Sequence, residues 1–374
     1  MKQKLDFNQG MKLYNHMSIN KRWAQLIMIA AIFNACKKAE IKAPQGGGTT
    51  PPVVPAPVIK APPALGSIVA GYFPSYRDPN AIPDQKFKMC NVVNYAFGTV
   101  SSSGNIVVQN PTVFGIVANK AKSNGAKVFL SIFGSTTDWQ QMAATPAGRN
   151  TFVKQAMLLV RTNALHGIDV DWEYPSTADG TATTFTKLMQ ELGDSLHVDG
   201  KYYLSAAIAS GKYAGQYRDA ITKELLQGEH VDFFNIMAYD DFSTTVPFRH
   251  HSDLKLAETS LNYWINTAGM PKRKAVLGIP AYGRASGITQ TGTVQTYAAI
   301  LGKGGAANSD SATVSATGFP AYTIYYNGQL TVKRKAILGN TQGSGIMMWE
   351  MGQDTNDNSS LLKAACDTLG RSYQ

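Results

Sequence analysis

Residues 167–175 read GIDVDWEYP and set Asp169, Asp171 and Glu173 at strict two-residue intervals in an otherwise apolar stretch. Alternate residues of a strand share a face, so the three acids form one row and Ile168, Val170 and Trp172 the other. Neighbours in such a row stand roughly 6–7 Å apart, close enough to couple. Coupled carboxylates cannot all ionise cheaply, and one is driven to hold a proton near neutral pH. Pro175 ends the strand and leaves Glu173 outermost, where it can give a proton to a ligand. Asp171 behind it can face positive charge developing in a substrate. That combination suits cleavage of an acetal such as a glycosidic bond. Spacing alone leaves two other uses open. Acid clusters bind hard cations such as Mg²⁺ or Ca²⁺, and a buried acid pair can be structural if backbone groups and Tyr hydroxyls satisfy it.

The elements that would position this row recur along the chain. Strands are expected at 67–73, 91–98, 127–134, 167–172, 202–209, 231–239, 274–282 and 345–351, mostly as continuous apolar runs. Such runs fit parallel strands covered on both faces. Helical spacing separates them, as in Phe152, Ala156, Leu159 and Val160, and in Phe185, Leu188, Met189, Leu192 and Leu196. Strand and helix alternating eight times over about 300 residues predicts a single (β/α)₈ TIM barrel, whose chemistry belongs at the C-terminal rim of the strands. A doubly wound open sheet is the alternative, but GYFPSY after the first strand offers no Gly-rich phosphate turn. Between Ala281 and Ser344 the chain is too long for a simple crossover. TIYYNGQLTV (323–332) predicts a short hairpin insertion between strands 7 and 8, turning at Asn327–Gly328, as a wall of the cleft. Trp172 faces away from the acids and is expected in packing, as is Trp264; Trp139 fits either the cleft or the core.

The 374 residues are 44% apolar and 16% charged, as expected of a globular chain with a sizeable core. Much of the formal charge of +10 comes from Lys2, Lys4, Lys12, Lys21 and Arg22, opposed only by Asp6 before residue 36. No Lys/Arg block interrupts the rest, so no nucleic-acid partner is expected. Lys21 and Arg22 precede the apolar run Trp23–Phe33, which has the length of a signal-peptide core and is too short to span a bilayer comfortably. Asn34, Ala35 and Cys36 follow it, then Lys37 and Lys38. This order resembles a bacterial lipoprotein signal with Cys36 lipidated; an ordinary cleaved secretory peptide is the alternative, and both imply export. Residues 37–65, rich in Pro, Gly and Thr, read as a tether, and 66–374 as the catalytic domain. Cys90 and Cys366 are expected as separate buried thiols.

GIDVDWEYP resembles the DxxDxDxE signature of family 18 glycoside hydrolases, the chitinase family. Further segments resemble the family in order: GYFPSY (71–76), VVNYAFG (92–98), SIFG (131–134) against SxGG, MAYDDF (237–242) against M-x-Y-D, LGIPAYGR (277–284) and GIMMWEM (345–351). The resemblance implies substrate-assisted hydrolysis of β-1,4-linked N-acetylglucosamine polymers without metal or cofactor, by a monomer. Glu173 would be general acid and then base. The nucleophile would be the sugar's own acetamido oxygen, with Asp171 and Asp169 behind it and Tyr239 holding that oxygen. Trp349 would floor the reacting sugar, and Asp240, Tyr282, Arg284, Met237 and Tyr72 would contribute to binding. Two other activities fit the same residues: an endo-β-N-acetylglucosaminidase acting on the chitobiose core of N-glycans, and a glycan-binding protein that does not cut. Two residues depart from the pattern. His166 stands where the family has the first Asp, on the parity facing away from the acids, and Phe133 replaces the first Gly of SxGG.

Overall fold

The computed structural model describes residues 59–243, 245–285, 287 and 291–373. Eight strands lie in the predicted places: β1 (Ile68–Pro74), β2 (Val92–Val100), β3 (Lys127–Phe133), β4 (Gly167–Asp171), β5 (Tyr203–Ala209), β6 (Phe233–Met237), β7 (Ala275–Pro280) and β8 (Gly345–Trp349). Each pairs in parallel with the next, and β8 returns to β1. The sheet is therefore closed, and the open alternative is excluded. These strands are mostly apolar because both faces are covered, with a few polar residues set among them. Ile168 and Val170 belong to the outer core under the helices, while Ala70, Phe129, Phe233, Val276 and Met347 fill the barrel.

Caps written in the sequence start the helices. Asn110 accepts a hydrogen bond from Val113 N, and Thr145 one from Gly148 N, each with a proline at the first helical position. Helix Thr181–His197 buries its whole predicted stripe. Trp172 stacks on Trp139 outside the barrel, with centroids 5.2 Å apart and planes 7° from parallel, and Phe185 meets Trp172 edge-on. Trp139 is thus core, not cleft, and Trp264 is buried as expected. Cys90 and Cys366 are free and buried.

The insertion after β7 carries the expected hairpin but corrects the place of its turn. Strand Tyr282–Ala285 pairs with Gln295–Thr296 on one side and Phe319–Tyr325 on the other, and the latter pairs with Ser311–Ala316. The hairpin turns at Thr317–Gly318, where Gly318 takes φ +81°. Asn327–Gly328 instead precedes helix Gln329–Gln342, with Gly328 in extended conformation at φ −80°. The cause is tertiary. Asn327 is buried and donates to the Ser252 carbonyl, and Gly328 N donates to Asp310. A Cβ at Gly328 would stand 2.4 Å from the Ser309 carbonyl oxygen.

Residues 56–374 form one compact unit; the other, Met1–Pro55, with the expected leader and Cys36, lies outside the described residues. Just before β1 the chain crosses the base of the barrel. Lys60 N donates to the His197 carbonyl, Tyr203 donates its hydroxyl to the Pro63 carbonyl at 2.7 Å, and Asn91 donates to the Leu65 carbonyl.

Candidate active site

Strand alternation aims the acids of β4 into the barrel, and the register decides their neighbours. Asp169 lies opposite Ser131 of β3 and Ser205 of β5. Both hydroxyls donate to its carboxylate, at 2.7 and 2.6 Å, and so do Tyr72 from β1 at 2.7 Å and Asn235 from β6 at 3.2 Å. Burial raises the carboxyl of Asp169, and those four hydrogen bonds pull against the rise.

Asp171, one layer up, is also buried, and its Oδ1 has no hydrogen-bond partner. Burial first, then the charges of Glu173 and Asp169 on either side, drive its carboxyl well above the usual range. Asp171 therefore holds a proton in conditions where Asp169, with four donors, bears charge more readily. Glu173 reaches the open mouth. The walls nonetheless desolvate its carboxyl, which is raised by that burial and by the charge of Asp240, against a hydrogen bond to Tyr174.

The far wall comes from β6, β7 and the inserted sheet. Asp240 adopts a left-handed backbone, φ +65°, just after β6. It accepts from Tyr282 at 2.6 Å and from Arg284 through two nitrogens, at 2.5 and 3.1 Å. Against the upward push of burial, the His251 and Arg284 contacts hold Asp240 below the ordinary carboxylate range. Tyr239 packs edge-on to Tyr282, and its hydroxyl is kept neutral by burial and by Tyr282 and the surrounding acids. Gly278 on β7 makes room for it, since a Cβ there would meet the Tyr239 ring at 2.9 Å.

Trp349 ends β8 and stays partly open, with Tyr72 edge-on at 5.4 Å and Phe97 stacked at 5.9 Å. The next residue, Glu350, is buried and tied to Arg77 and to Gly352 N, which fixes the end of the strand. Beside Glu173 a cavity of about 470 Å³ opens, lined by Thr136, Tyr174, Asp179, Gln216 and Tyr217 among others.

The structure gathers Asp171, Glu173, Tyr239, Asp240, Tyr282, Arg284 and Trp349 towards this mouth, with Asp169 fully buried beneath them. Two expected binding residues sit deeper. Tyr72 is buried with its hydroxyl committed to Asp169, and Met237 is a buried member of the inner core. Ser131, Ser205 and Asn235 were missed, although each interrupts an apolar run, which is the readable sign of a buried partner. His251 left no such sign, because its contact with Asp240 depends on a loop. His166 is far from this chemistry: its Nδ1 accepts from Val128 N at 3.0 Å, and it is pushed down to about 4 by burial and by Lys127 and Lys122.

A closed parallel barrel with a row of carboxylates towards the C-terminal rim of its strands has the build of a barrel enzyme. Residues 68–354 match the family described as Glycosyl hydrolases family 18, and the chain belongs to that family. It is 29% identical over 243 residues to chitotriosidase-1 of Mus musculus, covering 57% of this chain and 50% of the relative. Identity to a class V chitinase of Arabidopsis thaliana is 28% over 258 residues, covering 63% and 64%. The chain thus spans about half to two thirds of the length of these relatives. Among solved structures, a chitinase from Bacteroides thetaiotaomicron superposes with a TM-score of 0.69 at 21% identity, over 81% of this chain and 96% of that one.

Proposed function

We propose that the chain hydrolyses β-1,4-linked N-acetylglucosamine polymers, chitin or chitooligosaccharides, by substrate-assisted catalysis with retention at the anomeric carbon. The observation that carries the reading is the row Asp169, Asp171 and Glu173 aimed into the mouth of the barrel, with Asp171 buried and its Oδ1 without a hydrogen-bond partner. A retaining glycosidase needs a nucleophile beside its acid, and in the two-carboxylate scheme the second carboxylate supplies it. Here Asp240 is engaged by Arg284 and Tyr282, and Asp171 is buried with its carboxyl raised by that burial and by Glu173 and Asp169. Membership of family 18 implies the substrate's own 2-acetamido oxygen as that nucleophile.

Glu173 gives its proton to the leaving oxygen as that bond breaks. Asp171 accepts from the acetamido N–H and faces the positive ring that forms, while Asp169 behind it shares the proton of the pair and holds negative charge among its four donors; the Tyr239 hydroxyl donates to the attacking acetamido oxygen. Water, activated by the now ionised Glu173, then opens the oxazolinium ring. The names of the relatives, a chitotriosidase and a class V chitinase, support the substrate class. The test is incubation with chitooligosaccharides, reading products by mass spectrometry and the first-formed anomer by NMR. Retained β-product supports the reading, and inverted product overturns the mechanism. Cleavage of a high-mannose glycoprotein but not of chitooligosaccharides would replace the substrate with the chitobiose core of N-glycans. Binding without new reducing ends would make the chain a lectin. We further propose export with lipidation at Cys36, tested by radiolabelled palmitate incorporation in the intact chain and its loss in Cys36→Ser.

A further inference from the structure

We infer that Phe133 is a sugar-stacking residue, which holds the unit next to the reacting one and sets how strongly chain length is rewarded. The inference rests on the proposed cleavage of N-acetylglucosamine polymers. Ser131 points into the barrel at Asp169, so Phe133, two residues on, shares its face. The pairing of β3 with β4 places Phe133 opposite Asp171, at the layer of the chemistry. Phe129 on the same row is fully buried, whereas Phe133 is 36% exposed.

Its ring leans on Phe97, with centroids 5.3 Å apart and planes 37° from parallel, and Phe97 in turn stacks on Trp349. The three rings make one apolar run from the end of β8 to the end of β3, alongside Asp171. The strand end beneath is fixed, because a Cβ at Gly134 would stand 2.6 Å from Val100. Three residues beyond Phe133, Thr136 lines the cavity beside Glu173. A pyranose offers an apolar C–H face, and a ring already packed on one side accepts such a face with little left to order. Phe133 carries no polar atom, so its truncation removes contact area and leaves nothing unsatisfied.

The experiment compares wild type, Phe133→Ala and Phe133→Trp of the full chain on chitooligosaccharides of three to six units. Phe133→Ala is expected to raise KM on the longer oligomers roughly tenfold, with kcat nearly unchanged, and to shift which bond is cut. Phe133→Trp should restore both, and a thermal melt should place all three folds within a few degrees. An unchanged KM and cleavage pattern in Phe133→Ala overturns the inference. So does a lowered KM, which would mean that the ring fills space the sugar needs. A wild type that cuts no chitooligosaccharide overturns the underlying reading as well, and that control tells the two failures apart.

Discussion

Arg284 grips both carboxylate oxygens of Asp240, at 2.5 and 3.1 Å, and so fixes a negative charge on the wall facing Glu173. The pair is bidentate, the strongest geometry open to these two side chains. Its effect is electrostatic as well as structural, because Asp240 is one of the charges that raise Glu173. A proton donor works only while it holds its proton, so activity falls as pH rises through the raised value of Glu173. Asp240→Asn removes the neighbouring charge and lowers that value. The alkaline limb of kcat/KM is expected to move to lower pH, read from a full pH profile; an unmoved limb would refute the coupling.

Glu173→Gln keeps the size and hydrogen-bonding capacity of the side chain and loses the proton. General acid–base catalysis contributes typically 10²–10⁴-fold, so turnover should fall by roughly 10³ or more while oligosaccharide binding persists. Calorimetric titration with chitotetraose, beside an activity assay, separates the two effects. Full activity in this variant would remove Glu173 from its role.

Asp171→Asn separates stability from catalysis. The folded state holds the Asp171 proton more tightly than the unfolded chain does, since burial and two flanking acids raise its carboxyl. The stability this proton contributes is present below the unfolded value and is lost as pH rises towards the folded one. The amide carries no such penalty. At pH 7 the variant should therefore melt at a higher temperature than wild type, with the gap closing as pH falls towards about 4. Activity should be lost throughout.

Asp169→Ala should have the opposite effect on stability. It strips the acceptor from Tyr72, Ser131, Ser205 and Asn235 in the middle of the barrel. Leaving buried donors unmatched costs about 1–3 kcal/mol for each group that finds no new partner. Urea unfolding should show a clear loss of stability, and an unchanged midpoint would mean that the donors re-pair among themselves.

Two glycines offer a contrast. Gly134→Ala pushes a Cβ to within 2.6 Å of Val100 and 3.3 Å of the Trp139 ring nitrogen. It should destabilise by about 1–3 kcal/mol through overpacking. Gly115→Ala, inside helix Pro111–Ser123, meets nothing within 4 Å and should stabilise by roughly 0.5–1 kcal/mol. Thermal melts of the two variants are expected to diverge in sign.

The barrel was legible because its signal is local. Continuous apolar runs mark strands covered on both faces, and two-residue spacing fixes which side of β4 bears the acids. The inward aim of Asp169 and the outward aim of Trp172 followed from alternation alone. Asn327–Gly328 misled because a buried amide reaching Ser252 outweighed the turn preference of the pair. The SIFG segment shows what alternation adds to a motif. Phe133 faces the open mouth, where a ring fits, while Gly134 faces Val100, where none would. For His166 parity was enough, and His166→Gln should leave the pH profile unmoved. The grip on Asp240 comes from His251, 11 residues on across a loop, and from Arg284, 44 residues on, and no local pattern encodes it.

The strap at residues 60–65, pinned by His197, Tyr203 and Asn91, fixes the pole at which the chain enters the barrel. Entry is at the start of the strands, and the acids open at their ends. An affinity tag or an immobilising support joined directly to residue 59 is therefore attached at the far pole from the cleft. The barrel can thus be mounted by that residue with its working face outward.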